Sequence, residues 1–441
     1  MELPISLISG QGWPKPHSAE ASHLAAMWHH ISLQQDPERT VQNYSGAMLN
    51  RLLEHSQRAS ALWRTRLNHA AGARLKQLPI SSRDWIAQQV AQEGALPVQD
   101  PWGQARASQT SGSTGRPLSF FVSASAAMVN QWVYGAQNLL SGRDLRQPKT
   151  LVTTHDVLER HLPHWPDLPG QLFATGPGRM LEWRGQPIAQ LARQLQTQTL
   201  GYLLCPGAVV SGLCDHYEVS QTPAPRALEV ITRSNAVSAQ LRQRVMQLFG
   251  APLSDIYSCE EIGPIAFQCA QAQDCYHLVL SNVVLEIVDD HDQPCAAGQV
   301  GRVLLTGLNN LATPFIRYDV GDDAACLPCC PCGWKGPSLT ALQGRRSALL
   351  KLPGGGQAYT LLHAQAWLPI APLLEYRLTQ DRLDHLLVEV VAASVLSQAQ
   401  CQALIALTRS RSSEDFAVTL RQVDAIDWGP GRKRNEVQCL V

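Results

Sequence analysis

Residues 108–118 read SQTSGSTGRPL, in which Gly112 and Gly115 alternate with the hydroxyl residues Thr110, Ser111, Ser113 and Thr114, and Pro117 closes the run. Glycine lets main-chain N–H groups approach an anion with no side chain between them, and hydroxyls add rotatable donors. The lysine that a strand–loop–helix phosphate loop places before its Ser or Thr is missing here. SFFVSASAAM follows, first strand-like and then helix-like. The expected geometry is therefore a strand–loop–strand phosphate cradle. Taken by itself such a run is more often a flexible linker. Three later stretches fit the phosphate reading.

Residues 255–268, DIYSCEEIGPIAFQ, end a strand in an aromatic and follow it with Glu260 and Glu261 ahead of a glycine. Carboxylates at a strand terminus beside an anion loop can share Mg²⁺ with phosphate oxygens. The same text in isolation reads equally well as a solvated acidic turn. Residues 313–323, TPFIRYDVGDD, carry Arg317 on an apolar strand that closes in a Gly-Asp turn. An aspartate there is placed to accept hydrogen bonds from a ribose diol. The fourth stretch is Gly344-Arg345, with Lys433 between Arg432 and Arg434 far downstream; alone, that basic tail is an ordinary solvated one.

A cysteine cluster stands apart from these. Cys269 precedes Cys275 and His277, and CLPCCPCGW follows later in the chain. Cys330-Pro331-Cys332 is a tight knuckle, and Cys269, His277, Cys330 and Cys332 make a soft donor set suited to tetrahedral Zn²⁺. Cys275 or Cys329 can substitute for one of them, and buried reduced thiols without metal are the alternative, because paired CxxC spacing is not met. Four protein ligands would leave no open position for water, so the metal would be structural and would clip a β-rich part to the nucleotide-binding turn. No Ser/His/Asp or Cys/His nucleophile stands out, and the acids beside Cys259 would raise its thiol pKa.

The elements that must position these groups follow from pattern. The chain has 441 residues, enough for two or three domains. Lys plus Arg equals Asp plus Glu at 36 each, a balance that argues against bulk nucleic-acid or membrane-surface binding. No apolar run approaches the ~20 residues of a membrane span. The N-terminus lacks a basic start and an apolar centre, so a cytoplasmic, soluble protein is expected. Residues 18–70 carry helical spacing, as does the stretch around 124–140. From 150 to 280 short β-rich runs alternate with helices such as 188–196 and 237–250, which indicates an α/β sheet. Residues 278–306 turn β-rich, as a β subdomain would. After a glycine-rich break the last hundred residues read helix, strand (385–392), helix (399–410), strand: a compact α+β unit. The expected division is 1–344 and 345–441.

In this order the four stretches resemble the adenylate-forming superfamily of acyl-CoA synthetases, peptide-synthetase adenylation domains and luciferases, most of all its phenylacetate–CoA ligase branch. TSGSTGRP resembles the phosphate loop, YSCEE the YGxTE element, and PFIRYDVGD the RYRTGD element. The likeness is good over roughly 105–345 and thin in the last unit. It implies a large α/β domain with a β subdomain and a small mobile C-terminal α+β domain.

It also implies roles. Thr110, Ser111, Gly112, Ser113, Thr114 and Gly115 would hold the ATP phosphates, and Tyr257 would stack on adenine. Glu261 would bind Mg²⁺, Asp322 the ribose hydroxyls, and Arg345 the ribose–phosphate side. Lys433 would be the catalytic lysine delivered by the small domain, with Arg432 fitting that position too. The branch also often carries a Cys, His, Cys-x-Cys arrangement like this one. Three positions depart from the pattern. Glu260, counted with the nucleotide-binding residues, stands where the family has Thr, and its added negative charge near phosphate is unfavourable unless it binds metal or faces away. Ser347 occupies the hinge, and Ser234-Asn235 replaces a Gly-rich turn.

The implied reaction is ATP-dependent adenylation of a carboxylic acid, aromatic by default, then transfer to the thiol of coenzyme A or of a carrier protein's phosphopantetheine. The chain could also be an adenylating enzyme that forms no thioester, or a zinc-stabilised binding protein with a degenerate ATP site. No nucleic-acid or membrane partner is expected, and a homodimer is compatible with the text.

Overall fold

The computed structural model describes residues 19–68, 75–110, 118–153, 159–183, 187–196, 200–233, 237–345, 349–355, 357–359, 367, 369–392, 394–427 and 437–441. Among them, twelve strands form one sheet in the order 283–288, 301–307, 318–327, 338–345, 276–278, 263–268, 253–259, 229–233, 202–206, 149–153, 178–182, 160–162.

Leu253–Cys259 is the seam of that sheet. It runs parallel to Glu229–Arg233 on one side and antiparallel to Gly263–Gln268 on the other. On the parallel side the strands are apolar runs covered by helices, as strands buried on both faces must be. Leu203, Cys205 and Val230 pack with Val209, Val210, Leu213, Val245 and Phe249 from Gly207–Ser220 and Ala239–Phe249. Helix ends follow local rules: the Ser238 hydroxyl accepts from Leu241 N, and Gly250 ends that helix at φ +65°. The antiparallel strands expected as a β subdomain are continuous with the parallel ones. The second core, including Trp63, Ile86, Phe120, Tyr257, Phe315 and Tyr318, lies against this half, where the N-terminal helices meet it.

Four further strands form a second sheet in the order Ala417–Gln422, His385–Ala392, Leu373–Arg382, Val437–Cys439. Its core holds Trp367, Tyr376, Leu378, Val388, Val390 and Phe416. His385–Ala392, the helix Gln398–Arg411 and Ala417–Gln422 make the expected parallel crossover, the helix opened by a Ser397–Gln400 capping box. The helix expected before 385 is corrected over the described residues there: Leu373–Arg382 is a strand paired antiparallel to His385–Ala392. Tyr376 and Leu378 are buried on either side of the half-buried Arg377, a spacing of two rather than 3.6. Ser338–Arg345 runs as strand up to the expected boundary, and a small hairpin, Leu349–Lys351 with Gln357–Tyr359, comes next. Among the described residues no helix is long and apolar enough to cross a membrane.

Candidate functional site

The strands that flank the glycine- and hydroxyl-rich run are paired with each other. Arg106–Gln109 pairs antiparallel with Ser119–Val122, so the strand–loop–strand geometry forms. Thr110 N donates to Leu118 O at 2.9 Å, and Leu118 N donates to Thr110 Oγ1 at 3.0 Å, closing the loop at its base. Ser111, Gly112, Ser113, Thr114 and Gly115 lie outside the described residues, as do Ser234, Asn235, Ser347 and Lys433.

Two side chains unnoticed in the sequence converge on this base. Arg83 opens the helix Arg83–Glu93, capped by the Ser82 hydroxyl accepting from Trp85 N at 3.1 Å. The turn before it is tied to the 318–327 strand: Ser81 N donates to Arg317 O, and Asp319 N donates to Ser81 O. Held there, Arg83 Nη2 donates to Thr110 Oγ1 at 2.6 Å, and its Nη1 lies 4.0 Å from Glu261 Oε1. Tyr318, the second, donates from its hydroxyl to Glu261 Oε1 at 3.2 Å.

Glu261 is 4% exposed, and its Oε2 is buried with no hydrogen-bond partner among the described residues. A buried carboxylate oxygen left this way is costly unless a cation occupies it. Mg²⁺, which takes one or two carboxylates and completes its shell with water and phosphate, fits that atom. The turn is fixed around it. Gly263 adopts φ +90°, and a Cβ there would fall 2.3 Å from Asn130 Oδ1, so only glycine fits. Asn282 Nδ2 donates to Ile262 O and Pro264 O at 3.1 and 2.8 Å. The same turn sends the neighbouring Glu260 to the exposed side, which keeps the second acid from being buried beside the first.

Tyr257 and Asp322 also meet: the Tyr257 hydroxyl donates to Asp322 Oδ2 at 2.7 Å. The strand carrying Tyr257 runs two residues beyond it, to Cys259. The Gly-Asp pair is not a terminal turn, as expected, and Arg317 precedes the strand instead of lying on it. Gly321 (φ +87°) and Asp322 sit inside Tyr318–Leu327, where the pairing register slips at Asp322–Asp323. A bulge of this kind re-aims a side chain without ending the strand. Across it the backbone partner of Asp322 is Arg345. Arg317 is buried and paired with Glu286 Oε2 at 3.0 Å, a structural role.

Beneath Tyr257 on the same strand, Asp255 is buried and accepts from Thr232 Oγ1 at 2.7 Å and the Tyr276 hydroxyl at 3.0 Å. Burial raises its pKa from the ordinary 3.8 to about 6, outweighing those hydrogen bonds. An acid whose folded pKa is raised holds its proton longer in the native state, so its penalty is absent below the unfolded value and complete above the folded one. Relative to Asp255→Asn, the wild-type chain should therefore lose stability as pH rises from 3.8 to about 6, by about 3 kcal/mol at most. Urea unfolding of both proteins across that window measures it; parallel curves would refute it.

Tyr134, on the helix Ala124–Leu140, packs edge-on to Phe267 with ring centroids 6.2 Å apart, and burial raises its phenol pKa. It is a candidate wall for the carboxylic acid.

The soft donors form a separate cluster at the far side of the antiparallel strands. One ligand atom from each of Cys269, His277, Cys330 and Cys332 lies within 4.8 Å of the others, and Cys332 Sγ is 3.4 Å from His277 Nε2. Cys269 ends the 263–268 strand, and Ala272 N and Cys275 close a turn around its sulfur. Cys330 N donates to Trp334 O, folding the Cys-Pro-Cys knuckle, while Trp334 stacks on His277 at 4.4 Å and 22°. Burial lowers the His277 pKa, which keeps its imidazole neutral as a ligand must be, and pushes the Cys330 thiol up to about 12. Three sulfurs and a neutral imidazole at this spacing fit tetrahedral Zn²⁺, whose charge would turn such a thiol into thiolate. Cys329 is exposed, and Cys275 is buried outside the quartet.

No protein-family model matches the sequence, and neither does any curated protein. Solved structures do match the fold. A 2-hydroxyisobutyryl-CoA ligase in the postadenylation state, with an acyl-AMP bound, superposes with TM-score 0.60 at 14% identity over 97% of this chain and 94% of that one. The same ligase with 2-HIB-AMP and CoA in the thioesterification state gives 0.57 at 17% identity over 90% of each chain. An anthranilate CoA ligase, AuaEII, in complex with anthranoyl-AMP gives 0.51 at 15% identity over 80% of this chain and 68% of that one.

Proposed function

On the fold of the adenylate-forming ligases, which this chain has, we propose that it activates a carboxylic acid with ATP and passes the acyl group to a thiol. The observation that carries the reading is the convergence of Thr110, Arg83 and Glu261, with Glu261 Oε2 buried and unpartnered, together with the Tyr257–Asp322 pair. The three solved structures of similar fold, from two ligases, support it, since each holds an acyl-AMP.

In this reading an acid oxygen attacks the α-phosphorus of ATP, pyrophosphate leaves, and a thiolate then displaces AMP from the acyl carbon. Bringing two anions together must be offset by cations and donors set in advance. Mg²⁺ held at Glu261 would neutralise phosphate charge. Arg83 supplies a fixed positive charge between the loop base and that carboxylate. Tyr318 orients Glu261, and the main-chain N–H groups of the glycine-rich run receive the phosphates. Tyr257 and Asp322 form the nucleoside side, adenine against the ring and the ribose diol donating to the carboxylate. Arg345, opposite Asp322, takes the ribose–phosphate side, and Lys433 approaches the reacting carboxylate from the small C-terminal domain that begins near 345.

The acid is an aromatic one, in keeping with the phenylacetate–CoA ligase-like text, and Tyr134, edge-on to Phe267, is its proposed wall. The acceptor is coenzyme A or a carrier-protein phosphopantetheine, in the cytoplasm, where twelve unpaired cysteines are at home. Zn²⁺ at the Cys269–His277–Cys330–Cys332 cluster is structural.

ATP–pyrophosphate exchange across aryl, acyl and amino acids tests the reading. Exchange with an aryl acid, and thioester on adding thiol, is expected. Exchange without thioester would reduce the enzyme to its first half-reaction, and no exchange with any acid would leave a binding protein. Arg83→Gln should lower kcat/KM for ATP by roughly ten- to hundredfold, the worth of a charge-assisted hydrogen bond. An unchanged value would remove Arg83 from the site.

A further inference from the structure

The helix Ala124–Leu140 has two occupied faces. Asn130 lies against Gly263 and Tyr134 against Phe267, on the side of the adenylation site. Ser125, Val129 and Trp132, on the opposite face of the helix, line a separate cavity of ≈ 300 Å³ beneath Ala19–Gln35.

Rings wall that cavity. Trp102 and Trp132 meet edge to face at 5.6 Å, His30 lies 6.2 Å from Trp132, and Tyr44 is edge-on to His29 at 5.5 Å. His23 fixes Trp132 by accepting from its Nε1 at 2.9 Å. His30 is 7% exposed, and its Nδ1 is buried with no hydrogen-bond partner among the described residues. Burial first, then neighbouring His29, lowers its pKa to about 3, so it is neutral at physiological pH. Arg51 is the one formally charged side chain on the wall among the described residues; no carboxylate lines it. Asn309, also on the wall, donates to Asn282 Oδ1 at 2.9 Å, and Asn282 holds the turn that carries Glu261.

We propose that this cavity is a second small-molecule site that binds an aromatic carboxylate, its ring packed against the Trp102–Trp132 pair and its carboxylate at Arg51. Three features select that class: a cage of flat rings, a single cation without a competing acid, and a volume at the small end of ligand pockets. The site does not depend on the adenylation reading, because it needs neither ATP nor Tyr134.

Equilibrium dialysis of the full chain against radiolabelled benzoate, with no nucleotide present, tests it. Saturable binding is expected, weaker by about threefold or more in Arg51→Gln, as for an exposed charge pair. Trp102→Leu should weaken it by about tenfold, as loss of a stacking ring does. Both residues are exposed, so neither variant threatens the fold. Tyr134→Leu should leave the Arg51- and Trp102-dependent binding unchanged. No saturable binding, equal affinity in the Arg51 and Trp102 variants, or loss in Tyr134→Leu would each overturn the assignment. The last result would move benzoate to the adenylation site and leave that reading standing.

Discussion

Glu261→Gln is expected to lower ATP–pyrophosphate exchange by a factor of about 10² to 10³, the loss seen when one preorganised charge-stabilising group is removed. The same substitution should leave folding intact or strengthen it. Gln keeps an oxygen for the Tyr318 hydroxyl and removes a charge whose second oxygen is buried without a partner among the described residues. Activity and stability therefore move in opposite directions, which a merely structural glutamate would not do. Exchange rate and urea midpoint measured together decide it. Unchanged exchange would remove the metal-binding role, and a collapsed midpoint would show Glu261 to be a structural acid.

Cys330→Ser and Cys332→Ser should each release about one equivalent of zinc per chain, measured by elemental analysis of the purified protein. Each should also cost several kcal/mol of stability, because binding energy at a closed structural site is folding energy. The effect should reach the segment around Trp334, which stacks on His277 and donates from its indole Nε1 to Gln34 O in the N-terminal helix. Loss of metal would thus loosen the contact between that helix and the antiparallel strands. Wild-type protein isolated metal-free, with unchanged stability in both variants, would show the quartet to be packed thiols only. Ser in place of the exposed Cys329 is the internal control and should change neither quantity.

Much of this arrangement was legible because it rests on local chemistry. The two β-prone pieces on either side of the glycine and hydroxyl run pair as antiparallel strands, as strand–loop–strand text implies. Ser238 and Gly250 mark a helix's start and end within a single turn. The soft donors Cys269, His277, Cys330 and Cys332 stand out by residue type, with Cys275 or Cys329 as substitutes, and in the fold those four lie within 4.8 Å of one another. What was not legible depends on distant contacts. Arg83 reads as a helix-start residue; its reach to Thr110 and Glu261 exists only because Ser81 is bound to the 318–327 strand. Glu260 and Glu261 are adjacent in sequence, and only the Gly263 turn decides which is buried. Gly321-Asp322 looks like a strand end but is a bulge, because partner strands continue on both sides. The stretch before 385 reads as a helix, and its strand pairing with 385–392, a contact made outside the segment, overrides that local reading.

The central claim is that a carboxylate oxygen of the substrate becomes bonded to the α-phosphorus of ATP. It is tested most directly by supplying an accepted acid labelled with heavy oxygen in its carboxylate, together with ATP and thiol, and weighing the products. One heavy oxygen in AMP is the predicted result. Heavy oxygen in orthophosphate, or AMP formed without label, would contradict it.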